Sequence, residues 1–197
     1  MALRIYGNRQ LKTLPGRDTR PTPARVREAL FNIWQGEIQG CRWLDLCTGT
    51  GAMGAEALCR GAASAMGIEQ SGRACGVIQQ NWQQVARADQ QFQVMRGDVL
   101  HLLPRLAGQQ FDRIYFDPPY ASDLYEPVLA AIAQHQLLAP DGELAVEHDR
   151  GRSLPHRCDR GEEPACKSRS TLDTFPLEIC REKIYGTTAV TFYCHSL

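Results

Sequence analysis

Between residues 42 and 147, short apolar runs alternate with apolar stripes at helical spacing, and acids cluster where the runs end. Trp43-Leu44-Asp45-Leu46, Ala65-Met66-Gly67-Ile68, Phe92 to Met95, Phe111 to Phe116 and Glu143 to Glu147 read as strands. Between them, Ala74, Val77, Ile78, Trp82 and Val85 form one helical stripe, and Tyr125, Val128, Leu129, Ile132 and Ala133 another. A helix is predicted to run to Arg60 with Gly61 just past its end, Ser71 is placed to cap the next, and Pro140-Asp141-Gly142 to stop the last. This order predicts an α/β fold with a mostly parallel sheet and helices on both faces. Two closing runs, Leu177 to Ile184 and Ala189 to His195, joined around Gly186, predict an antiparallel C-terminal hairpin that brings the sheet to seven strands.

In such sheets ligands bind beyond the carboxyl ends of the strands, where the strand order reverses. Asp45, Gly49, Gly51, Glu69, Asp98 and Asp117 all fall at that edge, which argues for a single site. Gly49-Thr50-Gly51-Ala52-Met53-Gly54 matches G-x-G-x-x-G between a strand and a helix, so its glycines permit a tight turn and close approach of a ligand to the backbone. Glu69 can accept hydrogen bonds from both hydroxyls of a ribose. A nicotinamide oxidoreductase would share these features. Asp45, four residues before Gly49, argues against it, because a carboxylate there repels a pyrophosphate and attracts an ammonium or a sulfonium. Asp98 adds an acceptor suited to an adenine amino group. A nucleoside carrying positive charge, such as S-adenosylmethionine, fits the set. Each aspartate alone can equally be a cap or a surface residue.

Asp117-Pro118-Pro119-Tyr120 follows the strand run Ile114-Tyr115-Phe116. Two prolines cannot continue a sheet, because neither donates an N–H, and each pushes the residue before it into extended backbone. The motif therefore presents carbonyls in fixed directions beside a carboxylate and an aromatic ring. A planar amine can donate to Asp117 and to the Pro118 carbonyl while its ring stacks on Tyr120. A plain strand-ending turn is the bland alternative.

The 197 residues hold 22 basic and 22 acidic side chains, so net charge alone advertises no nucleic-acid partner. Their distribution does. Arg4, Arg9, Lys12, Arg17, Arg20, Arg25 and Arg27 stand against only Asp18 in residues 1–27, the footprint of a phosphate-binding arm. Gly7-Asn8 suggests that residues 3–14 form a small hairpin, and Thr22-Pro23 reads as the cap of a helix carrying Val26, Ala29, Leu30, Ile33 and Trp34, with Arg25, Arg27 and Glu28 off its stripe. Two units are expected: an arm or hairpin over residues 1–20 and one domain over 21–197. Within the latter, residues 149–176 are polar and aperiodic, as a long loop would be. None of the 8 cysteines forms a C-x-x-C pair, so they read as buried thiols and no metal is expected. No apolar run reaches the ~20 residues that span a bilayer, and the N-terminus lacks a signal-peptide core, so a cytoplasmic protein without membrane contact is expected.

Taken together, Asp45-Leu46-Cys47-Thr48-Gly49-Thr50-Gly51, Glu69, Asp98 and Asp117-Pro118-Pro119-Tyr120 resemble the Rossmann-like class I S-adenosylmethionine-dependent methyltransferases. Arg20-Pro21-Thr22, Val26-Arg27-Glu28-Ala29-Leu30-Phe31-Asn32, Tyr185-Gly186-Thr187-Thr188 and Phe192-Tyr193 resemble more narrowly the RsmD family, which methylates a guanine N2 in 16S ribosomal RNA. The resemblance implies cofactor contacts from Asp45, Gly49, Gly51, Glu69, Asp98 and Thr22. It implies catalytic roles for Asp117, Pro118 and Tyr120, and RNA contacts from Arg4, Arg9, Lys12 and Arg17. It further implies a monomer acting on 16S rRNA within a small-subunit assembly particle. Amino-methylation of DNA bases or of a protein glutamine would share the proline motif. Residues 149–176 depart from the family in being long and polar, a departure expected to leave the cofactor loop and the proline motif untouched.

Overall fold

A computed structural model describes residues 3–14, 24–158 and 176–196. Thr22 and Arg17, and with them the predicted helix cap and one predicted RNA contact, lie outside the described residues. The chain opens with an antiparallel hairpin, β1 (Leu3–Ile5) and β2 (Arg9–Leu11), turned through Gly7 and Asn8, both at positive φ. There follow α1 (Ala24–Ile33), β3 (Arg42–Leu46), α2 (Ala52–Cys59), β4 (Ser64–Glu69), α3 (Gly72–Val85), β5 (Gln91–Arg96), the single turn α4 (Val99–Leu102), β6 (Phe111–Phe116), α5 (Tyr125–Gln134), β7 (Leu138–Asp149), β8 (Arg157–Cys158), β9 (Leu177–Tyr185) and β10 (Thr188–His195).

The main sheet runs β5-β4-β3-β6-β7-β10-β9-β8, parallel from β5 to β7 and antiparallel beyond. The order reverses between β3 and β6, as the alternating sequence pattern requires. Among the described residues the main sheet has eight strands rather than the seven expected, because Arg157–Cys158 pairs with Glu178 and Leu177 at the far edge. That short strand lies inside the segment expected to be irregular. A second correction concerns Pro140-Asp141-Gly142, which does not end a helix. The helix ends at Gln134, the chain turns on Gln136 at φ 53, and the tripeptide is a bulge within β7. There the pairing jumps from Phe111↔Leu138 to Arg113↔Glu143, so the proline sits where ladder bonds are interrupted.

Strand alternation divides the core in two. Trp43 and Tyr115 face α1, α2 and α3, where Phe31 stacks on Trp43 at 5.4 Å between ring centres. Leu44, Leu46, Ile114 and Phe116 face α4 and α5. The hairpin is joined to the first core through buried Ile5 and Leu11. It also lies along α3: Arg9 donates to the Val85 carbonyl (3.1 Å), Gln84 to the Gln10 carbonyl (3.3 Å), and Lys12 Nζ to Gln80 (2.7 Å). Arg27 belongs by sequence to the basic arm and stands off the apolar stripe, yet it is buried. Its guanidinium pairs with buried Glu56 (2.6 Å) and donates to the Arg4 carbonyl, and Arg60 takes the other Glu56 oxygen (2.9 Å). A buried carboxylate between two guanidiniums holds α1, α2 and the hairpin together, because neither charge tolerates the interior unpaired.

Candidate active site

The sheet register sets the site. Leu46, Ile68, Met95, Phe116 and Val146 occupy one level across five strands, and Glu69, Asp117 and Glu147 are the next residues on three of them. Asp45 lies one step lower on β3, on the same face as Trp43, and is buried. Its Oδ2 accepts the Gly54 N–H at 3.0 Å, at the start of α2. Burial, partly opposed by that hydrogen bond and reinforced by the Glu69 charge, holds the Asp45 carboxyl well above the usual range.

After β3 the backbone turns sharply: Cys47, Gly49 and Gly51 all have positive φ (61, 58 and 77°). Thr48 Oγ1 donates within this turn to the Asp45 carbonyl at 2.8 Å. The three glycines of the motif serve different purposes. A Cβ on Gly49 would meet nothing within 4 Å, so there the open backbone faces available space. A Cβ on Gly54 would come within 2.3 Å of the Trp82 ring, and one on Gly51 within 2.8 Å of its Nε1. Gly67 on β4 leaves a third opening, 2.8 Å from the same ring. Trp82 fills the space that all three vacate and donates Nε1–H to the Gly51 carbonyl at 2.7 Å. Buried Asn81 donates to the Thr50 carbonyl (2.9 Å) and binds both the N–H and the carbonyl of Lys12 (2.9 and 3.0 Å), tying the loop to the hairpin. Close approach by a ligand, expected of the whole motif, is thus open at Gly49, whereas Gly51 and Gly54 accommodate a tryptophan.

Glu69 spans the turn. Its Oε2 accepts from Gly49 N–H (2.9 Å) and its Oε1 from Ser71 N–H (2.8 Å). Ser71 caps α3 as expected, accepting from Ala74 N–H at 3.3 Å. Asp98 is itself a helix cap, with Oδ1 receiving the amides of Leu100 and His101 (2.9 and 3.2 Å). The bland reading of that aspartate is therefore correct for one of its oxygens. Glu69, Asp117, Asp45 and Asp98, named in order of effect, nonetheless all act on the Cys47 sulfur. Burial first, and then these four acids, push its thiol up to about 12. Four acids of the sheet edge thus bear on this sulfur, and a thiol so placed is no nucleophile.

The proline motif closes the other side. Asp117 N–H reaches the Leu46 carbonyl of β3 at 3.4 Å. The turn after the prolines is closed by Ser122 N–H on the Pro119 carbonyl (2.8 Å). Tyr120 is half-buried, and its hydroxyl lies 3.0 Å from Glu147 Oε1 and 3.0 Å from Thr188 Oγ1. Tyr115 donates to the second Glu147 oxygen at 2.6 Å. Arg152 donates to the Tyr120 carbonyl (2.9 Å), and its guanidinium sits 4.4 Å from the Tyr125 ring centre. The sequence predicts that residues 149–176 leave this motif untouched. Arg152 corrects that, because the chain after β7 turns back on Asp149 and lays the Arg152 side chain over the proline loop. Glu147, Asn81 and Arg152 carry no local signal in the sequence, and Thr188 enters it only through the closing Tyr185-Gly186-Thr187-Thr188 motif, which gives no hint of a contact with Tyr120. Trp82, opposite three glycines, has a signal, and it lies in the helical stripe rather than in the glycine motif.

The geometry has the form of a class I methyltransferase edge, and comparison with known proteins agrees. The family described as Conserved hypothetical protein 95 matches residues 3–194. The chain belongs to this family. It is 31% identical over 187 residues, covering 94% of this chain and 92% of its relative, to a Bacillus subtilis (strain 168) protein named "Putative rRNA methyltransferase YlbH". It is 30% identical over 157 residues, 78% of each chain, to "Ribosomal RNA small subunit methyltransferase D" of Escherichia coli (strain K12). Among solved structures, "Putative methyltransferase yhhF" from Escherichia coli superposes with a TM-score of 0.75 at 26% identity, covering 100% of this chain and 99% of that one. The family therefore carries the class I α/β fold with antiparallel closing strands that the sequence predicted.

Proposed function

We propose that the protein transfers a methyl group from S-adenosylmethionine to the N2 amine of a guanine in 16S ribosomal RNA. The observation that carries this reading is the sheet register, which brings Asp45, Glu69 and Asp117 to the carboxyl ends of adjacent β3, β4 and β6, with Asp98 just past β5 and an Asp-Pro-Pro-Tyr turn beside them. Such a field suits a ligand with positive charge and disfavours the pyrophosphate of a nicotinamide cofactor. The rRNA methyltransferase names of the relatives favour RNA over a DNA base or a protein glutamine.

On this reading Asp45 and the Gly49–Gly51 turn hold the methionine end of the cofactor, joined by Thr22. Glu69 holds the ribose and Asp98 the adenine. The residues fit these tasks: the Gly49 backbone is open, and a carboxylate accepts up to about four hydrogen bonds, so Glu69 and Asp98 keep acceptor capacity beyond their amide partners. The bound cofactor supplies an electrophilic sulfonium methyl group. Asp117 and the Pro118 carbonyl accept the two N2 protons and so orient the nitrogen lone pair for in-line attack from roughly 3 Å. Tyr120 carries the guanine ring once the base has left its stack. The amine's proton departs after transfer, so no strong base is needed beforehand. Exposed Arg4, Arg9 and Lys12, together with Arg17, hold RNA phosphates.

The direct test is transfer of labelled methyl into unmethylated small-subunit particles or their RNA. Wild type is expected to label one guanine, and Asp117→Ala to bind S-adenosylhomocysteine yet transfer nothing. Full activity in Asp117→Ala, or label entering DNA or protein instead, overturns the reading. Replacing Arg9 and Lys12 by Ala should lower the salt slope of RNA binding by about 1 for each phosphate that is no longer neutralised. Because both side chains also tie the hairpin to α3, an unchanged melting temperature is the control.

A further inference from the structure

Glu147 has no part in the chemistry above, yet it is a buried carboxylate at the level of Glu69 and Asp117 on the adjacent strand. Removing a carboxylate from water costs several kcal/mol unless its oxygens are well satisfied. Two tyrosine hydroxyls supply that satisfaction, Tyr115 on Oε2 at 2.6 Å and Tyr120 on Oε1 at 3.0 Å. The direction of the second bond is fixed. Tyr120 donates its one hydroxyl proton to Glu147 Oε1, so Thr188, 3.0 Å from the same hydroxyl oxygen, donates to Tyr120. Burial first, and then the neighbouring Glu147 charge among other causes, pushes the Tyr120 hydroxyl well up, which keeps its proton in place as the donor. At the other end of the residue Arg152 holds the Tyr120 carbonyl. The ring is therefore clamped at its hydroxyl and at its backbone, while Tyr115, whose hydroxyl shares the carboxylate, is fully buried in β6.

We infer that Glu147 is a positioning residue: its carboxylate, with the Thr188 hydroxyl, sets the plane of the Tyr120 ring so that a flat base meets a fixed platform. This rests on the reading of the site as a base methyltransferase. A ring free to rotate would share its population among orientations, and only one of them aligns the amine with the Asp117 acceptors. The loss should fall on turnover rather than on cofactor binding, because Glu147 acts through Tyr120, which carries the base and not the cofactor.

The experiment uses the full chain and two readouts. In the first, methyl transfer to small-subunit RNA is measured for Glu147→Gln, Tyr120→Phe, the double variant and Tyr115→Phe. Glu147→Gln and Tyr120→Phe should each lower kcat by about tenfold or more, with S-adenosylhomocysteine affinity within about twofold of wild type. The double variant should be no slower than the worse single one, as residues acting through one hydrogen bond are non-additive. Tyr115→Phe removes a more deeply buried bond to the same carboxylate and should leave kcat within about twofold. Multiplicative losses in the double variant, or a fall in kcat for Tyr115→Phe equal to that of Glu147→Gln, assign Glu147 a merely structural role and overturn the inference. In the second readout, 19F NMR of protein carrying 3-fluorotyrosine follows the Tyr120 resonance without any substrate. Glu147→Gln, and more weakly Thr188→Val, should shift or broaden it. An unmoved resonance in both variants overturns the positioning even if methyl transfer is established. A moved resonance in a protein that methylates no RNA refutes the proposed function and leaves the clamp in place.

Discussion

The two sides of the site are built differently. The side formed by Asp45, the glycine turn and Glu69 is held by groups within one βαβα stretch, residues 45–82. The carboxylates bind backbone amides of the same stretch, and Trp82 fills the space left by three glycines. The side formed by Asp117 to Tyr120 is held by side chains from far along the chain: Glu147 on β7, Arg152 beyond it and Thr188 on β10. The first side is a local fold that assembles its own support. The second exists only once the antiparallel end of the sheet has closed on the parallel part. Damage to the first should lower stability and ligand binding together, whereas damage to the second should lower turnover and spare ligand binding.

The sharpest way to break this contrast is Trp82→Ala. Removing a fully buried aromatic costs about 3–5 kcal/mol, and the carbonyl of Gly51 loses its donor. Melting temperature and S-adenosylhomocysteine affinity should fall together, as followed by thermal unfolding and calorimetry. A large loss of stability with unaltered affinity would mean that the tryptophan does not shape the loop.

The next largest effect is a pH dependence of ligand binding at Asp45. Its carboxyl is raised well above the ordinary carboxylate range near about 3.9, first by burial. A raised acid keeps a proton in the folded protein that the unfolded chain has released, so its contribution to stability is present at low pH and fades as pH rises through the folded value. A cationic ligand favours the ionised form. Binding should therefore expel a proton, and affinity should climb with pH above the ordinary range, by at most about tenfold per unit for one proton. Calorimetry in buffers of different ionisation heat measures the release, and Asp45→Asn should abolish it.

Arg152→Ala tests the other side with a smaller effect. Its bond to the Tyr120 carbonyl and its contact with Tyr125 are half-exposed, so the loss of stability should stay near about 1 kcal/mol. Methyl transfer should drop by several-fold with cofactor affinity unchanged. A fall in affinity without a fall in turnover would contradict the division between the two sides.

The strands, their order and the acids at their ends were legible because burial on both faces leaves short apolar runs and because a parallel sheet fixes which end faces the ligand. The N-terminal turn at Gly7-Asn8, the Ser71 cap and the closing hairpin at Gly186 were legible for the same kind of reason, since each depends on residues within a few positions. Pro140-Asp141-Gly142 misled because the same tripeptide that punctuates a helix can be absorbed by a bulge within a strand whose neighbour pairs on both sides of it. Arg27 misled because a cation is charged wherever it stands, and only its distant partner Glu56 makes it an interior residue.

By itself the sequence determined the α/β alternation, the carboxyl edge where Asp45, Glu69, Asp98 and Asp117 lie, and the strand-ending proline turn at Asp117-Pro118-Pro119-Tyr120. Periodicity, proline and glycine act over a few residues, and a local code records them. Only the tertiary structure decided that Trp82 shapes the glycine loop, that Asn81 joins this loop to the hairpin, and that Glu147, Arg152 and Thr188 hold Tyr120. Those pairings depend on sheet register and on stretches of chain meeting across roughly 30 to 70 residues of sequence, for which no short pattern exists.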